Sequence, residues 1–152
     1  MRALFVAEAK SDSETAKVVK FAYAYNREAH DLLANASPPL APQLRYCTHE
    51  PTIGLWVVVM DYVEGKKVSD ELTDHSHIAS LRKAVTTLHD RGLVFGDLRG
   101  PNLLIVGNGV VLIDFDWCGK VGEARYPSDI LLEHPRIDWP PGVQRRTHRE
   151  GA

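Results

Sequence analysis

Apolar positions along the chain fall into short runs separated by polar breaks, with two longer stretches at helical spacing. Residues 3–9 are apolar and β-tolerant, Ser11-Asp12-Ser13-Glu14 breaks the run, and residues 16–22 (AKVVKFA) are apolar again, with Lys20 near the end. Two such runs joined by a short polar loop predict a hairpin. Tyr25, Ala29, Leu32 and Leu33 then recur at helical spacing and predict a helix over 23–34. Glu28 falls on that apolar stripe, where a carboxylate needs a partner. Lys20 on the preceding strand is a candidate, and a solvated place at the stripe's edge is the alternative. Residues 35–52, with Pro38, Pro39 and Pro42, read as a loop. The continuous apolar run over 55–63 predicts a strand buried on both faces. Glu64-Gly65-Lys66-Lys67 ends it and is placed to link two lobes. A second helix is predicted over 77–90, with Ile78, Leu81, Val85 and Leu88 as its stripe and Gly92 as its C-terminal cap. A compact polar loop, FGDLRGPN, leads into a strand at 103–106, a Gly107-Asn108-Gly109 turn and a second strand at 110–113. Periodicity is lost from Trp117 onward, and the final stretch, ending QRRTHREGA, is expected to be loose.

Composition narrows the class without naming a function. The 152 residues are 44% hydrophobic and 25% charged, as in ordinary globular domains, which excludes a disordered tail, a coiled coil or a collagen-like chain. With 18 basic and 20 acidic residues, nothing advertises a nucleic-acid or membrane surface, and neither partner is expected. The short apolar opening is a poor signal peptide and no run is long enough to span a bilayer. Cys47 and Cys118 do not make a disulfide framework, so an intracellular, cytoplasmic setting is expected.

The informative segment is 93–116. Asp97 and Asn102 are five positions apart in a loop between a helix and a hairpin, and Asp114 ends the hairpin's second strand. The hairpin brings Asp114 back beside the loop, so two carboxylates and an amide oxygen converge. Hard oxygen ligands of this kind suit Mg²⁺, which takes one or two carboxylates plus phosphate oxygens. Asp and Asn are also common turn formers, but three of them at this spacing, with a helix before and a hairpin between, point beyond turns.

This arrangement resembles the protein-kinase-like superfamily. GDLRGPN matches the catalytic-loop pattern D-L-x-x-x-x-N through Asp97 and Asn102, and LIDFD matches a strand followed by D-F-G through Asp114 and Phe115. VVKF sets Lys20 where such kinases carry their strand lysine, Glu28 falls like its helix partner, and VMDYVEG looks like the hinge between lobes. The combination with GKVGEARYP is most similar to divergent fungal kinase-like proteins. The resemblance implies ATP and Mg²⁺ as cofactors. It implies that Asp97 takes the acceptor proton and Arg99 offsets developing charge. Lys20 would contact the phosphates, held by Glu28, while Asn102 and Asp114 hold the metal. Met60, Asp61, Tyr62 and Val63 would meet adenine. The acceptor would be a hydroxyl, on protein Ser or Thr before a small molecule.

The chain departs from the pattern in several places. Phe95 and Gly96 replace the usual His and Arg before the catalytic Asp, and Asp116 replaces the Gly of D-F-G. No glycine precedes Gly54, so a Gly-rich phosphate loop is missing, and the chain stops soon after the activation-segment region. A pseudokinase or nucleotide-binding scaffold is therefore the rival reading. Asp114-x-Asp116 after an apolar strand also resembles a dehalogenase-type phosphatase motif, although only 36 residues follow it and doubly wound alternation is lacking. The expected fold is α+β and protein-kinase-like: a small N-terminal sheet with one helix (1–62), a partial, mainly helical C-terminal lobe carrying a catalytic hairpin (63–141), and a loose tail (142–152), together one incomplete domain.

Overall fold

The computed structural model describes the backbone of residues 3–7 and, in full, residues 16–123. The expected loose tail lies outside the described residues. The chain begins with the expected hairpin, β1 (Ala3–Ala7) against β2 (Lys17–Ala22), in antiparallel register. Helix α1 (Arg27–Ala34) follows, then β3 (Leu44–Glu50) and β4 (Leu55–Asp61). The four strands form one antiparallel sheet in the order β1-β2-β4-β3, so α1 carries the chain from an inner strand to the far edge.

Helix α1 starts later than its periodicity predicts because Asn26 caps it. The Asn26 side chain accepts from the Ala29 N–H at 2.8 Å and satisfies one of the free donors at the helix start. Strand β3 occupies part of the expected loop. Its side chains are mostly exposed and a register shift falls between Leu44 and Tyr46, so it lacks the apolar alternation that marks a strand. Strand β4 is half-buried rather than buried on both faces, with Val58 and Met60 inward.

Residues 62–65 lead to β5 (Lys66–Lys67), and α2 (His75–His89) opens on Asp74, whose carboxylate accepts from the Ser76 and His77 N–H groups. Gly92 closes that helix with φ +66, a conformation in which a Cβ would be strained. Then come β6 (Leu93–Phe95), a 3₁₀ turn at Gly100–Asn102, β7 (Leu103–Val106), β8 (Gly109–Leu112) and β9 (Cys118–Lys120). Strands β7 and β8 form the expected hairpin, with Val106 opposite Gly109 and β5 along its outer edge. Strand β6 pairs with β9, a short ladder that three-residue runs do not announce. One core joins the sheet side to the hairpin side. Leu33 from α1, Val58 from β4, Leu88 from α2 and Leu112 from β8 are all fully buried in it. Burying each such side chain contributes about 1.5–3 kcal/mol.

Candidate active site

Strand pairing sets the site. Leu103 lies opposite Leu112, and the Ile113 N–H donates to the Asn102 carbonyl at 2.9 Å. This ties the end of the loop that holds Asp97 to the residue before Asp114. Asp97 is buried in that loop, and the Asn102 amide nitrogen donates to its carbonyl oxygen at 2.9 Å. The nitrogen being committed, the amide oxygen is the atom Asn102 can offer a cation.

The Asp97 carboxylate is held by a fork. Arg99 donates from Nε to one oxygen and from Nη2 to the other, the latter at 2.8 Å. Its guanidinium also lies over the Trp117 ring, 5.9 Å from the centroid. The Arg99 side chain is half exposed while that of Asp97 is buried, so the arginine can leave the pair toward solvent and the aspartate cannot. Gly96 lets this loop close. A Cβ at that position would overlap the Trp117 carbonyl oxygen on the neighbouring strand connection. The replacement of the usual arginine by glycine before Asp97 thus has a steric cause.

Lys20 projects from β2 into the same place. Its ammonium donates to Asp114 Oδ1 at 2.8 Å and to Asp116 Oδ1 at 2.5 Å, and stands 5.6 Å from the centre of the Tyr25 ring. Two carboxylates thus face one ammonium. Burial pushes the Asp116 carboxyl up to about 6, with Lys20 pulling it down and the Asp114 charge pushing it further up. Asp114 adopts φ +72, a left-handed conformation that Asp tolerates better than most residues. That turn sends Phe115 inward. Its ring is fully buried, stacked on His30 and edge-on to Phe95 at 5.3 Å, and its carbonyl accepts from the Asn26 N–H at 3.1 Å.

The expected pairing of Lys20 with Glu28 is not formed. Glu28 is exposed in the first turn of α1, and the face turned inward carries Ala29, His30, Leu33 and Ala34 instead. Tyr25 lies before the helix start, so it does not mark the inward face, which is turned about one residue from the expected stripe. His30, on that inward face, is fully buried. Its Nε2 must donate to the Pro42 carbonyl at 2.7 Å, so Nδ1 accepts from the Tyr25 hydroxyl at 2.6 Å. Desolvation lowers its pKa to about 4, keeping the ring neutral. Motif reading treats Asp116 only as a replaced glycine or a phosphatase acid, and gives His30 no place beside it. The available signal was charge: two carboxylates at one buried strand end require a cation.

The four hinge residues divide. Met60 is buried in the core, and the Asp61 carboxylate is bound by Arg45 at 2.9 and 2.6 Å and by Lys17 at 2.9 Å, which hold its pKa down to about 2. Asp61, Tyr62 and Val63 line a cavity of about 810 Å³ with residues 38–43, α2 and the β7–β8 hairpin. Lys20, Asp97, Asn102 and Asp114 do not line it. Among the described residues, no cluster of three or more His, Cys, Asp or Glu side chains is grouped for a metal, and no helix is long and apolar enough to cross a membrane. Asp114 and the Asn102 oxygen nonetheless suit Mg²⁺, which keeps part of its shell for water and phosphate. Burial pushes the Cys47 thiol up to about 11 and raises that of Cys118 further, so neither is an activated nucleophile. The antiparallel pairing throughout also sets aside the dehalogenase reading, which requires a doubly wound parallel sheet.

Known proteins bear on this geometry. A granulovirus kinase, PK-1 of Cydia pomonella granulovirus, superposes with a TM-score of 0.64 over 78% of this chain and 48% of its own, at 22% identity, and so shares the fold. A probable bifunctional tRNA threonylcarbamoyladenosine biosynthesis protein of Methanothermobacter thermautotrophicus is 39% identical over 59 residues, covering 39% of this chain and 11% of its own. The serine/threonine-protein kinase SMU1 of Mycosarcoma maydis is 29% identical over 103 residues, covering 62% and 14%. The chain thus spans a small part of these curated relatives and about half of the viral kinase. The family described as lipopolysaccharide core biosynthesis protein (WaaY) matches residues 45–133, more than half of the sequence, and on that match the chain belongs to this family, a branch of the protein-kinase-like superfamily.

Proposed function

We propose that this chain carries a kinase-type phosphotransfer site that uses ATP and Mg²⁺ and delivers the γ-phosphate to a hydroxyl. One observation carries the reading. Lys20, from the sheet, reaches Asp114, at the end of the hairpin, across 94 positions of sequence. That contact joins a cation suited to phosphate and a carboxylate suited to a metal ion, which is what supports the reading. Phosphoryl transfer asks for little covalent chemistry and much positioning and charge neutralisation.

Asp114 and the Asn102 oxygen would hold Mg²⁺, which neutralises charge on the transferring phosphoryl group when bound. Lys20 binds phosphate oxygens. Asp97, buried and fixed by its loop, orients the acceptor hydroxyl and accepts its proton once Arg99 swings aside to solvent. Backbone groups of 61–63 meet the adenine. Glu28, exposed, takes no part. A relative named as a serine/threonine kinase favours a protein Ser or Thr acceptor. The family description, which names lipopolysaccharide core biosynthesis, favours a saccharide hydroxyl.

The test is a thermal-shift titration with ATP, with and without Mg²⁺, on wild type and Asp114→Asn, because a ligand that binds only the folded state raises its melting temperature. Stabilisation by Mg²⁺-ATP, with the Mg²⁺-dependent part lost in the variant, supports the site. Transfer of labelled phosphate is then followed to a Ser/Thr peptide mixture and to a lipopolysaccharide core saccharide. Absence of any shift in a folded sample sinks the nucleotide reading. Binding without transfer to either acceptor leaves a scaffold.

A further inference from the structure

We propose that Asp116 is the positioning residue for Lys20, holding its ammonium in the site while Asp114 turns to the metal. This rests on the kinase-type reading above and assigns a role within that site.

Helix α1 offers Lys20 no anion. Glu28, its first-turn acid, is exposed, and its other acid, Asp31, is paired with Arg27 of the same helix. Asn26 is neutral and spends its side chain on the Ala29 N–H and on the Cys118 carbonyl at 3.5 Å. His30, the polar group of the helix's inner face, is engaged by Tyr25 and Pro42. The Tyr25 ring beneath the ammonium carries no charge, so Lys20 must take its counter-ion from the hairpin segment.

The two acids there are not equivalent. Asp114 keeps 19% of its side-chain surface and Asp116 keeps 6%, so the former faces solvent and an arriving cation more than the latter does. Asp116 also makes the shorter contact, 2.5 Å against 2.8 Å. A divalent ion at Asp114 competes with the ammonium for that carboxylate. A buried ammonium left without an anion is strongly unfavourable, and Asp116 prevents this. The acid at the third position of D-F-D, which reads as a lost glycine, supplies the charge that α1 lacks.

The experiment has two arms on the full chain at fixed pH. The first measures melting temperatures of Lys20→Met, Asp116→Asn and Asp114→Asn, and of each acid variant combined with Lys20→Met. The Asp116→Asn and Lys20→Met effects are expected to be strongly non-additive, more so than for Asp114→Asn. The second measures ATP affinity by calorimetry with and without Mg²⁺. Asp116→Asn is expected to weaken ATP about tenfold in both conditions and to add nothing to Lys20→Met, the tenfold loss corresponding to about 1.4 kcal/mol. Asp114→Asn is expected to lose the Mg²⁺-dependent gain alone. A structural role for Asp116 would lower the melting temperature and leave Mg²⁺-free affinity untouched, which overturns the proposal. So does an Asp116→Asn profile identical to that of Asp114→Asn, which would make Asp116 a metal ligand. If the wild type does not bind ATP, the nucleotide reading fails, and the first arm still decides the anchor: additive effects overturn it. If Asp116→Asn does not fold, Asp116→Glu replaces it. That variant keeps the charge and is expected to bind ATP without Mg²⁺ nearly as wild type does, and a loss of tenfold or more overturns the proposal.

Discussion

The imidazole of His30 lies flat against the ring of Phe115, with centroids 4.5 Å apart and planes 13° from parallel. The stack joins helix α1 to the residue between the two site carboxylates. It requires a neutral imidazole, because His30 accepts from Tyr25 at one nitrogen and donates to Pro42 from the other.

A pH dependence follows. Between the ordinary histidine value of 6.5 and about 4, the unfolded chain binds a proton at this position and the folded protein does not. Stability therefore rises with pH across that window and is lost as pH falls through it, by up to about 3 kcal/mol at 1.36 kcal/mol per pH unit. Asp116 acts with the opposite sign. Its folded carboxyl is raised to about 6, so its contribution is present at low pH and lost as pH rises from 3.8 through 6. Melting temperatures from pH 7.5 to 4.5 are expected to fall more steeply for wild type than for His30→Gln. Parallel curves would refute the assignment.

Glu28→Gln is expected to change neither melting temperature nor nucleotide affinity appreciably, by less than about 0.5 kcal/mol, since the side chain is exposed and holds nothing in the site. A tenfold loss of affinity on calorimetry would restore Glu28 as the partner of Lys20.

How far the chain could be read from its residues depended on the kind of signal. The α2 stripe, the Gly92 cap and the Gly107-Asn108 turn are local and strong, and all three appear in the structure. The catalytic-loop and D-F-x spacing likewise brought Asp97, Asn102 and Asp114 to one end of a hairpin. Strand β3 escaped because its pairing with β4 is non-local, its side chains face solvent, and prolines sit just upstream. Strands β6 and β9 are three residues each, too short for a period. Glu28 was misplaced because the expected stripe counts Tyr25, which lies before the helix start at Arg27, whereas the inward face of the helix carries Ala29, His30, Leu33 and Ala34 and leaves position 28 outside.

Asn26→Ala removes the cap of an eight-residue helix. It is expected to cost about 1 kcal/mol, within the 0.5–2 kcal/mol range of such losses, read as a lower urea midpoint at unchanged slope. An unchanged midpoint would mean that packing alone sets the start of α1.

Gly96→Ala is expected to destabilise by about 1–3 kcal/mol, because the new methyl must displace the Trp117 backbone or open the β6–β9 ladder. Gly92→Ala, whose methyl meets open space, reports on backbone strain without a collision and serves as the comparison in the same thermal scan. Equal losses would remove the steric argument at Gly96.

The hydrogen bond from the Asn26 N–H to the Phe115 carbonyl has a mechanical consequence. Helix α1 is fastened at its first turn to the backbone between Asp114 and Asp116, and one turn later to the Phe115 ring through His30. Its opposite face, with Arg27 and Glu28, stands in solvent. The helix is therefore a short lever with its handle outside and its working end in the site. Any displacement of that helix would be transmitted to Phe115, the residue between the two carboxylates, through both attachments at once.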